Sequence, residues 1–148
     1  MGYADGNKQT NFGKLEKLVS ESSCAALLDS GCSKTVCGEY WYDNYVGSIS
    51  DYDQSCVKEE PSKASFTFGD GSSEKSLKRT QIPCYIGGKR CFIETDVVKC
   101  NIPLLLSKKA MKKGRMCLNF ADDRATLGKL TIPLKCSTSG HYLLPLDM

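Results

Sequence analysis

At 148 residues the chain has room for one domain with a real core and too little for two ordinary ones. Its 20 Lys and Arg against 17 Asp and Glu leave +3, a balance that neither demands a nucleic-acid partner nor excludes one. The opening MGYADGNKQTNFGKLEK lacks the apolar run of a signal peptide, no later stretch has membrane-spanning length, and Gly6 stands where N-myristoylation needs Ser or Thr. A soluble, cytoplasmic chain with no membrane partner is expected.

In chain order, residues 1–13 read as a flexible leader, and KLEKLVSES suggests a first strand or edge segment. Within CAALLDSGCSKTV, Cys24 to Leu28 are small or apolar without alternation, which fits a central strand covered on both faces. Tyr40, Trp41, Tyr45 and Val46 cluster at loosely helical spacing and predict a short helix over 38–48, anchored to the core by Trp41. DYDQSCVKEEPSK reads as a polar connection. From Ser65 the period changes to two: SFTF alternates, GDGSSEKS is rich in turn formers, and a projecting hairpin is expected with LKRTQIPCYI as its return strand. IGG at 86–88 makes a second turn into the strand CFIETDVV, with Cys91, Ile93 and Val97 on one face.

NIPLLL is another continuous apolar run. Ser107 after it can cap a short helix, KKAMKK, and Gly114 is placed to end that helix in the left-handed conformation. MCLNF alternates, TLGKLTIPL sets Leu130, Ile132 and Leu134 on one face, and HYLLPL closes the chain. The basic run SKKAMKKGR reads as a solvated helix face, since it lacks the interleaved aromatics of a single-stranded nucleic-acid site. Nine cysteines, at 24, 32, 37, 56, 84, 91, 100, 117 and 136, include no C-x-x-C pair and are accompanied by one histidine, His141, in a turn. They read as reduced core thiols, with no metal or cofactor expected.

Asp29 ends the most apolar strand. A carboxylate there is costly unless it is hydrogen-bonded, paired or protonated. Ser30 adds a hydroxyl, and Gly31 lets the backbone turn sharply and another group approach, so Asp29-Ser30-Gly31 suits an acid at the floor of a cleft. Asp70 lies in a turn-rich segment, and Asp51, Asp53, Asp122 and Asp123 lie in polar surroundings, so none of these follows a buried strand.

These segments together resemble the retroviral-type aspartic proteases, and most closely the retropepsin domains of retrotransposons. LLDSGCSKTV resembles the family's catalytic motif with its downstream Thr-Val, SFTFGDGSSEKSLKRT the flap hairpin, IPCYIGGKRCFIETDVV the strand pair after it, and IPLLLSKKAM the second apolar motif with its helix. GRMCLNF resembles the strand that ends the shortest members, and Ser107 stands where the family usually has Gly.

The resemblance implies an all-β, retropepsin-like acid-protease barrel with a flap hairpin and one or two short helices. Its single domain would span 14–148, with a core at 15–120 and a strand extension at 121–148. Asp29, Ser30 and Gly31 would be catalytic, and Gly69, Asp70 and Gly71 would form the flap that closes on substrate. With one such motif per chain, a homodimer would pair two Asp29 carboxylates and hydrolyse extended peptides without a cofactor. Processing of a retroelement-type polyprotein, in the cytoplasm or within virus-like particles, is implied by the resemblance alone. The rival expectation is an inactive dimerisation or peptide-binding module of the same fold, and a third is a thiol-based redox or metal protein, which the cysteine spacing does not favour.

Overall fold

The computed structural model describes residues 17–148, so the expected leader lies outside the described residues. A helical segment α1 at residues 17–21 precedes β1 (Ala25–Asp29), β2 (Val36–Gly38), α2 (Glu39–Ser48), α3 (Asp51–Ser55) and β3 (Lys58–Glu60). Then come the hairpin β4 (Ser65–Thr67) and β5 (Ser73–Lys75), the long pair β6 (Lys78–Ile86) and β7 (Lys89–Val98), β8 (Leu104–Ser107) and α4 (Lys108–Lys113). The chain ends in β9 (Met116–Asn119), β10 (Arg124–Leu127), β11 (Leu130–Pro133), β12 (Lys135–Cys136) and β13 (Tyr142–Pro145).

Eight strands form one mixed sheet in the order β12-β13-β1-β8-β2-β7-β6-β3. The β-rich expectation is met, but the sheet is not a closed barrel: its order has two ends. Both edges are poor templates for further pairing, because β12 has two exposed residues and β3 is the exposed, charged Lys58-Glu59-Glu60. The chain end reaches β6 through an isolated bridge between Tyr85 and Asp147, beside a 2.7 Å hydrogen bond from the Tyr85 N–H to the Leu146 carbonyl.

β1 is central and covered on both faces, as its unbroken apolar run requires. It runs antiparallel to β13 and parallel to β8, pairing Ala26 with Leu104 and Leu27 with Leu105. Ala26 faces one apolar cluster with Trp41, Ile82 and Leu104, and Leu27 faces another with Val36, Leu105 and Leu143. Trp41 is buried as expected, stacks on Tyr45 with centroids 5.1 Å apart, and donates its indole N–H to the Ser22 carbonyl at 2.7 Å.

Several local expectations are corrected. The stretch read as a first strand is helical at 17–21, because Leu18 and Val19 are adjacent and both buried, which an alternating strand with one covered face cannot satisfy. The polar connection contains α3, capped by Ser50, whose hydroxyl accepts from the Asp53 N–H at 3.1 Å, and then the edge strand β3. The projecting hairpin returns through β5 rather than LKRTQIPCYI. That segment becomes β6 because Gly87 and Gly88, with φ of 59° and 80°, make a two-residue turn that binds it along its whole length to β7. Ser107 caps α4 as expected, accepting from the Ala110 N–H at 3.1 Å. Gly114 keeps φ at −79°, however, and the left-handed position falls on Arg115 at φ 53°, one residue later.

Two glycines give opposite stability predictions. A Cβ on Gly38 would lie 2.4 Å from the Cys100 carbonyl oxygen and 2.7 Å from that of Ile102, both backbone atoms. Gly38→Ala should cost about 1–3 kcal/mol in urea denaturation, the usual scale of overpacking. Gly47, helical with open space around its Cβ position, should gain about 0.5–1 kcal/mol on substitution by Ala.

Candidate active site

β1 carries Asp29 to the end of the ladder, in register with Ser107 of β8. The carboxylate is half-buried, while Ser30 and Gly31 beyond it are exposed. Asp29 Oδ1 accepts from the Gly31 N–H at 3.0 Å, and the Asp29 carbonyl accepts from the Cys32 N–H at 3.1 Å, so the chain turns immediately over the acid. Among the described residues, Asp29 forms no salt bridge.

The far end of this loop is fastened across the sheet. Thr35 Oγ1 donates to Ser107 Oγ at 3.0 Å and accepts from the Ser107 N–H at 3.1 Å, both groups being buried. The Lys108 N–H reaches the Cys32 carbonyl at 3.3 Å. Where the family resembled here carries Gly, the Ser107 hydroxyl therefore locks the loop and caps α4 at once. Burial pushes the Cys32 thiol up, with the Asp29 charge adding to the effect, so this neighbour stays protonated rather than acting as a nucleophile.

Gly69, Asp70 and Gly71 occupy the exposed tip of the β4–β5 hairpin. Asp70 Oδ1 accepts from the Ser72 N–H at 2.8 Å and from the Ser72 hydroxyl, while Gly71 adopts φ 84°, so the tip is held by its own carboxylate and by the freedom of glycine. Phe66 and Phe68 pack against the cluster that contains Leu27 and Cys32, bringing one face of the hairpin to the apolar surface beneath the Asp29 loop.

The residue that sequence reasoning passed over is Asp96, within β7 and 4% exposed. Its Oδ1 accepts from Ser62 Oγ at 2.6 Å and from Ser76 Oγ at 2.8 Å, the residues on either side of the hairpin, and Oδ2 lies 3.6 Å from Arg79 Nη2. The Asp96 N–H donates to the Thr35 carbonyl at 3.2 Å, which joins the hairpin feet to the Asp29 loop. An acid between Thr95 and the apolar Val97-Val98 of CFIETDVV was the available signal; the other acid of that strand, Glu94, is exposed.

Asp53 is likewise corrected from a polar setting to a buried one, 5% exposed and paired with Arg90 at 3.0 Å. Asp123 accepts from the Tyr142 hydroxyl at 2.6 Å and Asp122 from the Asn119 amide at 3.2 Å. Among the described residues no group of three or more His, Cys, Asp or Glu is arranged to hold a metal, and no helix is long and apolar enough to cross a membrane.

No family model matches the chain, and no curated protein matches it in sequence. Among solved structures it is similar to the retroviral protease-like domain of Ddi1 from Leishmania major, with a TM-score of 0.49 and 13% identity over 73% of this chain and 81% of that one.

The Asp96 cluster generates a prediction. Asp96→Ala leaves two hydroxyls and a guanidinium without their buried acceptor and should cost about 2–4 kcal/mol. Hydrogen exchange at residues 64–76 should accelerate more than at β6 or β7. Uniform acceleration across the sheet would show that Asp96 supports the whole fold rather than the hairpin.

Proposed function

We propose that the chain is a retropepsin-like aspartic endopeptidase acting as a homodimer, with each copy contributing one Asp29 to a shared pair. The observation that carries this reading is the position of Asp29. It ends a strand covered on both faces, and among the described residues it is held by a single backbone amide and stands clear of the salt bridges that engage Asp53 and Asp96. An acid kept half-open at such a point is available for chemistry, whereas a structural acid would be saturated by partners, as Asp96 is.

Hydrolysis of an amide by water needs one group to remove a proton and another to deliver one to the carbonyl oxygen. Two carboxylates a few Å apart do both, because mutual repulsion keeps one protonated while the other is ionised, and they titrate as a unit. One Asp29 takes the proton of the attacking water. Its symmetry mate protonates the carbonyl oxygen, and the tetrahedral species collapses as the amine leaves with a proton. Ser30 hydrogen-bonds across the two-fold axis and steadies the pair.

An extended peptide lies between the copies, its backbone matched by strand-like hydrogen bonds, while the Gly69-Asp70-Gly71 tips fold down, exclude water and offer backbone groups to it. The cluster shared by Phe66, Phe68 and the Asp29 loop supports such a closing role, since it gives the hairpin an apolar surface on which to seat. The substrate class is a polyprotein of the retroelement type, from the element itself or from a host copy of it, processed in the cytoplasm or within particles.

A peptide library tested between mildly acidic and neutral pH should be cut by the wild-type chain with a bell-shaped pH profile. Asp29→Asn should remain folded and lose about 10²–10⁴-fold or more of the rate, the scale of acid–base catalysis. A folded, dimeric wild type that cuts nothing at any pH would leave a peptide-binding module as the better reading.

A further inference from the structure

We propose that Cys84 and Cys91 form a peroxide-responsive dithiol site that closes to a cross-strand disulfide and reopens on reduction. The two residues are direct partners in the β6–β7 ladder, and their sulfurs lie 3.4 Å apart. Opposed residues of an antiparallel pair have Cα atoms about 4.5–5.5 Å apart, within the roughly 4.4–6.8 Å that a disulfide spans. The tight Gly87-Gly88 turn, three residues from each cysteine, fixes this register. Closure therefore needs side-chain rotation and a small approach of the two strands. No other pair of thiols among the described residues is hydrogen-bonded.

The two sulfurs are unequal. Cys84 is 1% exposed, whereas Cys91 is partly exposed and lines a cavity of about 640 Å³ together with Lys34, Lys109 and Lys113. An oxidant arriving by that cavity meets Cys91 first. Their mutual hydrogen bond, followed by burial, pushes the Cys84 thiol up, while the same bond and the nearby Lys89 charge bring Cys91 down to about 7. Cys91 thus carries the reactive thiolate, and Cys84 keeps its proton as the resolving partner. The buried Cys37, pushed up to about 12, and Cys100, pushed up to about 11, have no such role.

The chemistry balances with a peroxide as the oxidant. The Cys91 thiolate attacks one peroxide oxygen and the O–O bond breaks, giving a sulfenic acid and a hydroxide that takes a proton to become water. Cys84 sulfur then attacks Cys91 sulfur and the S–O bond breaks. The departing hydroxide leaves as water with the Cys84 proton. Two thiols lose two electrons in all, and one peroxide becomes two waters. A dithiol reductant returns the pair to thiols by exchange.

The test uses the full reduced chain at pH 7 with stoichiometric hydrogen peroxide, followed by alkylation and peptide mass mapping. A Cys84–Cys91 linked peptide that disappears on treatment with dithiothreitol is the expected product. It should form severalfold faster than oxidation products at the exposed Cys117 and Cys136, because Cys91 opens on the cavity with its resolving partner 3.4 Å away. Cys84→Ser should leave Cys91 as a sulfenic acid that dimedone traps. Oxidation of Cys117 and Cys136 with both Cys84 and Cys91 still open to alkylation on unfolding would overturn the proposal, as would Cys91 oxidised singly in wild type. The readout is covalent and independent of peptidase activity.

Discussion

Parallel pairing of β1 with β8 is the constraint on which the rest of the molecule depends. The ladder runs from Ala26 and Leu104 to Asp29 and Ser107, with β13 closing the other edge of β1. Because Ala26 and Leu27 face different apolar clusters, a slip of one residue would exchange them and turn Asp29 to the opposite face. The acid is held in place less by its contact with the Gly31 amide than by the burial of the strand that carries it.

A second restraint reaches the same loop from the hairpin. Ser62 and Ser76 converge on the Asp96 carboxylate, the Asp96 N–H holds the Thr35 carbonyl, and the Thr35 hydroxyl engages Ser107. A buried carboxylate is a costly way to hold two strand ends, and apolar contacts would serve stability as well. Its geometry nevertheless joins two segments distant in sequence, the loop beside Asp29 and the β4–β5 hairpin. Asp53 and Asp96 are saturated by partners, whereas among the described residues the Asp29 carboxylate accepts from the Gly31 N–H and forms no ion pair.

What could be read from the sequence was what local pattern determines. The unbroken apolar run of β1, the aromatic spacing of α2, the Ser107 cap of α4 and the glycine turn before β7 each follow from residues near in sequence. The misread elements were short ones, α1, α3, β3 and β5, where tertiary contact outweighs pattern. The hold of Asp96 on Ser62 and that of Thr35 on Ser107 were not legible, because these partners lie 34 and 72 residues apart. Asp53 looked solvated for the same reason, its guanidinium partner being 37 residues distant. The cysteine pair was closer to legible, since Cys84 and Cys91 stand symmetrically about Gly87-Gly88 and only the register had to be known.

The central claim is that catalysis needs two copies of Asp29, one from each chain. It is tested most directly by mixing wild type with Asp29→Asn under conditions where subunits exchange, and following peptide cleavage at constant total protein. Random pairing into a symmetric dimer makes the active fraction the square of the wild-type fraction, so an equal mixture should retain about a quarter of the activity. Retention of about half, with activity proportional to the wild-type fraction, would mean that each chain works alone and would contradict the shared pair.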